Sequence, residues 1–236
     1  MPAAMTDIAT TIPAAVRAKR SRTLPLVMPS TLILRVAILL IIGFLVIPVG
    51  AVAIGSGTGL IPLPFEMFEL AGRAPILFPA HMLSSALALL IAPVVIAVRH
   101  RPQIHRALGR LLGVFVVIGG LTSLPVAVMS HSPVLARAGF FVQGLVWLYL
   151  FGASFIAIRQ RNISRHADLM MAMVAVTTGA VWFRVITGTA IALSLPFEPI
   201  YALAAWIGWT VPLSIVLFRP RLVSAVLKSD KPTWAR

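Results

Sequence analysis

The side chains with most chemistry to offer are five histidines and one arginine, set among long apolar runs. His105 stands in "HRALGR" (105–110), His166 in "RNISRHADLMM" (161–171), and the others are His81, His100 and His131. Neutral imidazole ligates haem iron and other metals, and it exchanges protons near neutral pH. Arg184 lies inside "HADLMMAMVAVTTGAVWFRVITG". Its guanidinium stays charged and carries five donors, so a buried one needs acceptors. His166 and Arg184 are 18 residues apart, which is five whole helical turns and one shared face. Met170, Met173, Thr177, Ala180 and Thr187 fall near the same stripe. An ionisable residue within a span costs about 2.5–3.5 kcal/mol on insertion scales, so this stripe is expected to face protein.

Two readings of these residues stand side by side. In the functional one, His105 and His166 ligate a b-type haem inside a helix bundle, and Arg106, Arg110 or Arg165 pair with its propionates. His81 and Arg184 then line a site in the opposite half, where His131 is the other histidine. Glu66, Glu69 and Glu198 are the candidate partners of Arg184. A closed ion pair there is structural, whereas an open guanidinium binds an anionic or quinone-like ligand. In the structural reading the histidines are amphipathic anchors, like the arginines beside them. His100 is given no role in either.

Neighbouring residues sharpen the picture. His105, Gly109 and Gly113 are spaced by four, which predicts a smooth groove for a helix or a flat cofactor. His81 is followed by Ser84, Ser85 and Ala88 on a small, mildly polar face. Gln143 shares a face with Gly139 and Trp147. Trp182, Trp206 and Trp209 read as belt or packing residues.

The elements that must position these groups are membrane helices. The 236-residue chain is 59% hydrophobic and 11% charged, with a mean hydropathy of +0.99, whereas soluble domains carry about 25% charged residues. Its apolar runs reach the ~20 residues needed to cross a bilayer. Spans are expected at 31–55, 76–98, 104–129, 134–158, 166–195 and 197–218. The loop 56–75 holds a short interfacial helix, "PFEMFELAG", with Phe65 and Phe68 toward lipid. The fold expected is an all-α, six-transmembrane-helix bundle covering 31–218. A disordered basic tail precedes it (1–30), and a second basic tail follows (219–236). Arg35 is expected to snorkel to the interface.

Charge orients this bundle. Sixteen of the twenty basic residues fall in the two tails and in the loops after the second and fourth spans. The opposite loops hold Arg73 and Arg137 together with Glu66, Glu69 and Glu198. That asymmetry predicts an N-in/C-in, multi-pass protein of a bacterial inner membrane. The net charge of +14 is therefore an orientation signal for a lipid bilayer, and nucleic acid is not expected as a partner. The four arginines of "RHRPQIHRALGRL" (99–111) hold their turn at the anionic leaflet, at roughly 1 kcal/mol each. Cysteine is absent, which excludes disulfides, thiolate metal sites and covalent haem attachment. No phosphate-binding glycine loop, nucleophile elbow or "HExxH" zinc motif occurs.

Taken together, His81, "HRALGR", "RNISRHADLMM" and Arg184 resemble a family of bacterial predicted membrane proteins known as domain of unknown function 2306. The likeness covers roughly residues 35–220 and implies a multi-pass inner-membrane protein without an assigned reaction. The family's third motif often carries a Trp before the Met and an Arg soon after. Here Leu169 and Ala172 stand in those places, which weakens any role needing that charge. A looser likeness is to six-helix, di-haem b-type cytochromes, which also place histidines on helices three and five at the cytoplasmic level. Those proteins use a histidine on helix four, and this chain has none there. The expectation drawn is a haem-binding redox protein exchanging electrons with quinone. The alternatives are a small transporter or membrane-assembly factor using buried His and Arg, and a structural subunit of a membrane complex.

Overall fold

A chain that crosses a bilayer must satisfy its backbone polar groups within each segment, and a helix does so. The computed structural model describes residues 36, 37 and 40–218, and every regular element among them is helical. A π-helical turn, Ile42–Val46, leads into α1 (Ile47–Gly57). The short α2 (Phe65–Arg73) leaves Phe65 and Phe68 exposed while burying Leu70, as expected of an interfacial helix. There follow α3 (Leu77–Ala97), α4 (Pro102–Met129), α5 (Val134–Arg159), α6 (Ile163–Thr177), α7 (Gly179–Ala192) and α8 (Phe197–Phe218).

Five stretches are long and apolar enough to cross a membrane: Leu77–Ala97, Pro102–Met129, Val134–Arg159, Ile163–Ala192 and Phe197–Phe218. They are the second to sixth expected spans. The first differs, because its apolar helix among the described residues runs only from Gly43 to Gly57. The beginning of that span with Arg35, and the tails at 1–30 and 219–236, lie outside the described residues.

Local chemistry sets the helix starts that matter for the site. Pro102 opens α4, where its fixed φ and missing N–H cost nothing. Asn162 caps α6 by accepting from the Arg165 backbone N–H at 3.0 Å. The chain reaches that cap through Arg161, at φ 60°, which turns it back sharply after α5.

Helix α3 packs on α4, α4 on α5, α5 on α6, and α6 closes against α3. This ring puts α4 and α6 across one diagonal and α3 and α5 across the other. Helix α8 packs along α5, α6 and α7, while α1 lies on α3 and touches α7. Leu112, Val116, Met173 and Val176 fill the centre and are fully buried. The outward faces carry Val134, Tyr149, Phe155 and Leu217. In water such a surface is an aggregation liability, and against acyl chains it is the face that is wanted.

The fifth expected span departs from the ideal helix. It breaks at Thr178, whose ψ of −11° tightens the turn, and the N–H groups of Val181 and Trp182 both bond the Thr178 carbonyl. Gln143 on α5 donates to the Val176 carbonyl at 3.1 Å, and the Trp147 indole donates to Thr177 Oγ1 at 2.8 Å. Gly179 is required by the close approach of α5 and α8. A Cβ there would sit 2.6 Å from Gln143 Nε2 and 2.8 Å from Trp209 Cβ. The five-turn register from His166 to Arg184 is thus interrupted, but the stripe still turns inward. Met173, Thr177 and Thr187 are buried, and Met170, Ala180 and Arg184 are half-buried.

Two substitution pairs test this packing by thermal unfolding in detergent. Gly179→Val overpacks the α5–α7–α8 junction and should destabilise by about 1–3 kcal/mol. Gly109→Ala meets nothing within 4 Å and should be neutral or stabilising, by up to about 1 kcal/mol. Gln143→Leu removes the interhelical donor at the break and should cost about 0.6–1.7 kcal/mol, while Gln143→Glu, which has no N–H to give and must take up a proton to offer any donor, should cost at least as much at a pH where the carboxyl is ionised.

Candidate functional site

Arg99 and Arg101 after α3, with Arg159 at the end of α5 and Arg161 just beyond it, mark a basic end of the bundle. Glu66, Glu69 and Glu198 mark the opposite, acidic end. Helices α4 and α6 both start at the basic end, so His105 and His166, each in a first turn, lie at that level. Both rings are half-buried. The Nδ1 of His105 is 3.1 Å from the Val95 carbonyl on α3. A carbonyl only accepts, so Nδ1 carries the proton and Nε2 keeps its lone pair. His166 is held similarly by Ser154 of α5, a fully buried residue. The Ser154 hydroxyl donates to the His166 carbonyl at 3.3 Å, and its oxygen lies 2.8 Å from His166 Nδ1. That Nδ1 donates to the Ser154 carbonyl at 3.1 Å, which again leaves Nε2 free of a proton.

Each ring is therefore bonded to a different helix, and no hydrogen bond joins the two among the described residues. Arg106, Arg110 and Arg165 stand exposed beside them, and His100 is exposed in the turn. The groove expected along His105, Gly109 and Gly113 is half there. Phe151 of α5 fills it at Gly113, where a Cβ would meet the ring at 2.7 Å, while the space beside Gly109 is open.

The acidic half is built around His81 on α3 and Arg184 on α7. His81 donates from Nδ1 to the Gly119 carbonyl of α4 at 3.0 Å, with Ser85 Oγ at 3.4 Å. Gly119 is glycine because a Cβ there would lie 2.8 Å from Ser85 Oγ. Arg184 donates from Nη1 to the Ala180 carbonyl of its own helix at 2.9 Å. The expected pairing of Arg184 with Glu66, Glu69 or Glu198 is not made. Side chains on a helix lean toward its N-terminus, and the N-terminus of α7 is in the interior of the bundle. The guanidinium thus turns away from the end where the carboxylates are.

Two of those carboxylates, Glu66 and Glu198, instead border an open cavity of about 320 Å³ that His131, Ser132, Pro133, Phe197 and Tyr201 also line. Tyr201 Oη is 3.2 Å from Ser132 Oγ, and its ring meets Phe183 edge-on at 5.0 Å. His131 is exposed and takes no part with His81. Arg73 Nη2 lies 2.7 Å from its Nδ1, and Glu69 is 3.4 Å from the same atom. Arginine can only donate, so Nδ1 is the acceptor there and the Glu69 contact is not an ion pair with this ring.

Among the described residues no group of three or more His, Cys, Asp or Glu side chains could hold a metal ion alone. Two imidazoles alone are too few to hold a free ion. Ser154 and Tyr201 are the contributors that sequence reasoning missed. Neither sits in a motif, and each matters only because another helix packs against it.

Residues 78–218 match the family model described as "Predicted membrane protein (DUF2306)". Neither a curated protein nor a solved structure matches the chain. The matched region takes in His81, His105, His166 and Arg184 and runs from the second residue of α3 to the end of α8, so the chain belongs to the predicted membrane protein family DUF2306.

Proposed function

We propose that this multi-pass membrane protein is a redox protein holding one b-type haem between His105 and His166. The observation that carries the reading is that the Nδ1 of each ring lies against a backbone carbonyl of a neighbouring helix, at 3.1 Å in both cases. Each gives its Nδ1 proton to a backbone carbonyl of a neighbouring helix and keeps an unprotonated Nε2. Metal-ligating histidines are oriented by such bonds. The rings also sit at one level on helices that oppose each other across the ring, and facing helices are where bundles build cofactor sites. Arg106, Arg110 and Arg165 at the exposed rim suit propionates. When bound, haem supplies one-electron transfer, and the chain's own part is to hold it, orient it and shield it. Helix α5, across from His81, contains no histidine, so the reading extends to one haem. A quinone-type carrier dissolved in the bilayer is the proposed partner, met in the half that holds His81 and Arg184.

The same reading takes the chain as six spans in a bacterial inner membrane, N-in and C-in, with the basic end cytoplasmic. The distribution of basic residues supports it. A second reading, a small transporter or membrane-assembly factor using His81 and Arg184, is favoured by the helix break at Thr178. Interrupted helices near the bilayer midplane are where transporters place substrate.

Purified protein from haem-replete cells should show a b-type spectrum whose Soret band shifts on dithionite reduction. His105→Ala and His166→Ala should each abolish it, while His100→Ala and His131→Ala should leave it intact. A colourless preparation would overturn the haem reading. The chain lacks cysteine, so single-cysteine variants report orientation cleanly. Asn162→Cys should react with a membrane-impermeant thiol reagent only after the cells are opened, and His131→Cys should react in intact spheroplasts.

A further inference from the structure

The cavity at the acidic end holds two carboxylates with nothing to bond. Glu66 comes from the first turn of α2 and Glu198 from the first turn of α8, and both line the same open hollow of about 320 Å³. Neither makes a hydrogen bond or ion pair with another of the described residues. The first turn of a helix favours a negative side chain, which helps two of them share one hollow. His131 also lines the cavity, but its Nδ1 accepts from Arg73 at 2.7 Å, so the ring is neutral there. The carboxylates are therefore the only charges in the wall. Phe197 and Tyr201 line it too, with ring centroids 5.5 Å apart. Tyr201 is held in place twice. Its ring meets Phe183 edge-on at 5.0 Å, and its Oη lies 3.2 Å from Ser132 Oγ, which is itself 2.8 Å from Ser130 Oγ.

We infer that this cavity binds an organic ammonium ion at the acidic face of the bundle. Glu66 and Glu198 attract the cation and accept from any N–H it carries. The rings of Phe197 and Tyr201 attract the methyl or methylene groups around its nitrogen, over which the positive charge is spread. A metal ion fits less well. Among the described residues no three His, Cys, Asp or Glu side chains could hold one, and two carboxylates leave most of the oxygen positions of a hard cation to water. An anion is repelled by both glutamates. The volume stands at the small end of ligand pockets, about 300–1,000 Å³, which suits a small ammonium. Such an ion has two sources, a free solute or the headgroup of a zwitterionic lipid. The lipid is within reach because α2, which supplies Glu66, leaves Phe65 and Phe68 exposed as an interfacial helix does. The site lies at the opposite end of the bundle from His105 and His166, and the inference is independent of the haem reading.

The test is equilibrium binding of radiolabelled choline to the full chain in nanodiscs of phosphatidylglycerol, a lipid that carries no ammonium. Binding should saturate and be displaced by tetramethylammonium far better than by potassium. Glu66→Gln and Glu198→Gln should each weaken it about tenfold, the loss expected of one charge-assisted contact. Phe197→Leu should weaken it about threefold through the lost ring. These three positions are exposed, so the variants should fold, and thermal unfolding in detergent checks that they do. Glu69→Gln removes a nearby charge that does not line the cavity and should leave binding unchanged. Phosphatidylethanolamine added to the nanodiscs identifies the source: competition with choline assigns the site to a lipid headgroup, and indifference assigns it to a free solute. Binding that does not saturate, that potassium displaces as well as tetramethylammonium does, or that Glu69→Gln weakens as much as Glu198→Gln, would overturn the inference.

Discussion

A polar side chain inside a bilayer must find its hydrogen-bond partner within the protein, and here the partner is repeatedly a backbone carbonyl on another helix. His105 bonds Val95, His81 bonds Gly119, His166 bonds Ser154 and Gln143 bonds Val176. Each bond crosses a helix pair that packs tightly, and each depends on that packing for its geometry. Two of them are reciprocal. His105 of α4 reaches α3 near the basic end, and His81 of α3 reaches α4 in the other half. Helices α3 and α4 are thus clamped twice, in opposite senses, which fixes both their separation and their register.

The interior tolerates this polarity because small residues let backbones come close. Gly119 admits Ser85 and Ser84; Gly144 admits Ser123; Gly179 admits Gln143. Between these polar contacts, Leu112, Val116, Met173 and Val176 make an apolar plug that separates the basic-end histidines from the Arg184 region. The basic-end histidines and Arg184 therefore lie on either side of one packed core, past which α4 and the α6–α7 span both run.

Much of the architecture was legible in the sequence, because span length and charge asymmetry are imposed by the bilayer and are local in the chain. Five of the expected spans return within three residues at either end. The break at Thr178 was not legible. It falls at Thr177, Thr178 and Gly179 inside an otherwise apolar run, residues that a membrane helix tolerates, and what stabilises it is Gln143, which is distant in sequence. The partner of Arg184 was misread for a related reason. The glutamates looked near because loops bring them to the same half, but the lean of helical side chains sends the guanidinium the other way. That lean was available as a rule once the direction of the span was known. The role of Ser154 had no sequence signal, since it arises from how α5 meets α6.

A histidine that only fastens two helices needs one nitrogen. In all three buried-facing histidines that nitrogen is Nδ1, and the fastening accounts for their presence as structural residues. The chemistry, where there is any, belongs to the nitrogen left over. Backbone carbonyls hold the proton on Nδ1, so each Nε2 is kept as a lone pair without help from a charged neighbour. Loss of the clamp and loss of the ligand are therefore different defects of one substitution. A variant that keeps an Nδ1-like donor and lacks Nε2, such as His→Asn, retains the first function and removes the second. At His105, where the bond to Val95 is a single donor–acceptor contact, Asn should preserve the α3–α4 packing that Ala disrupts, while removing whatever the free nitrogen binds.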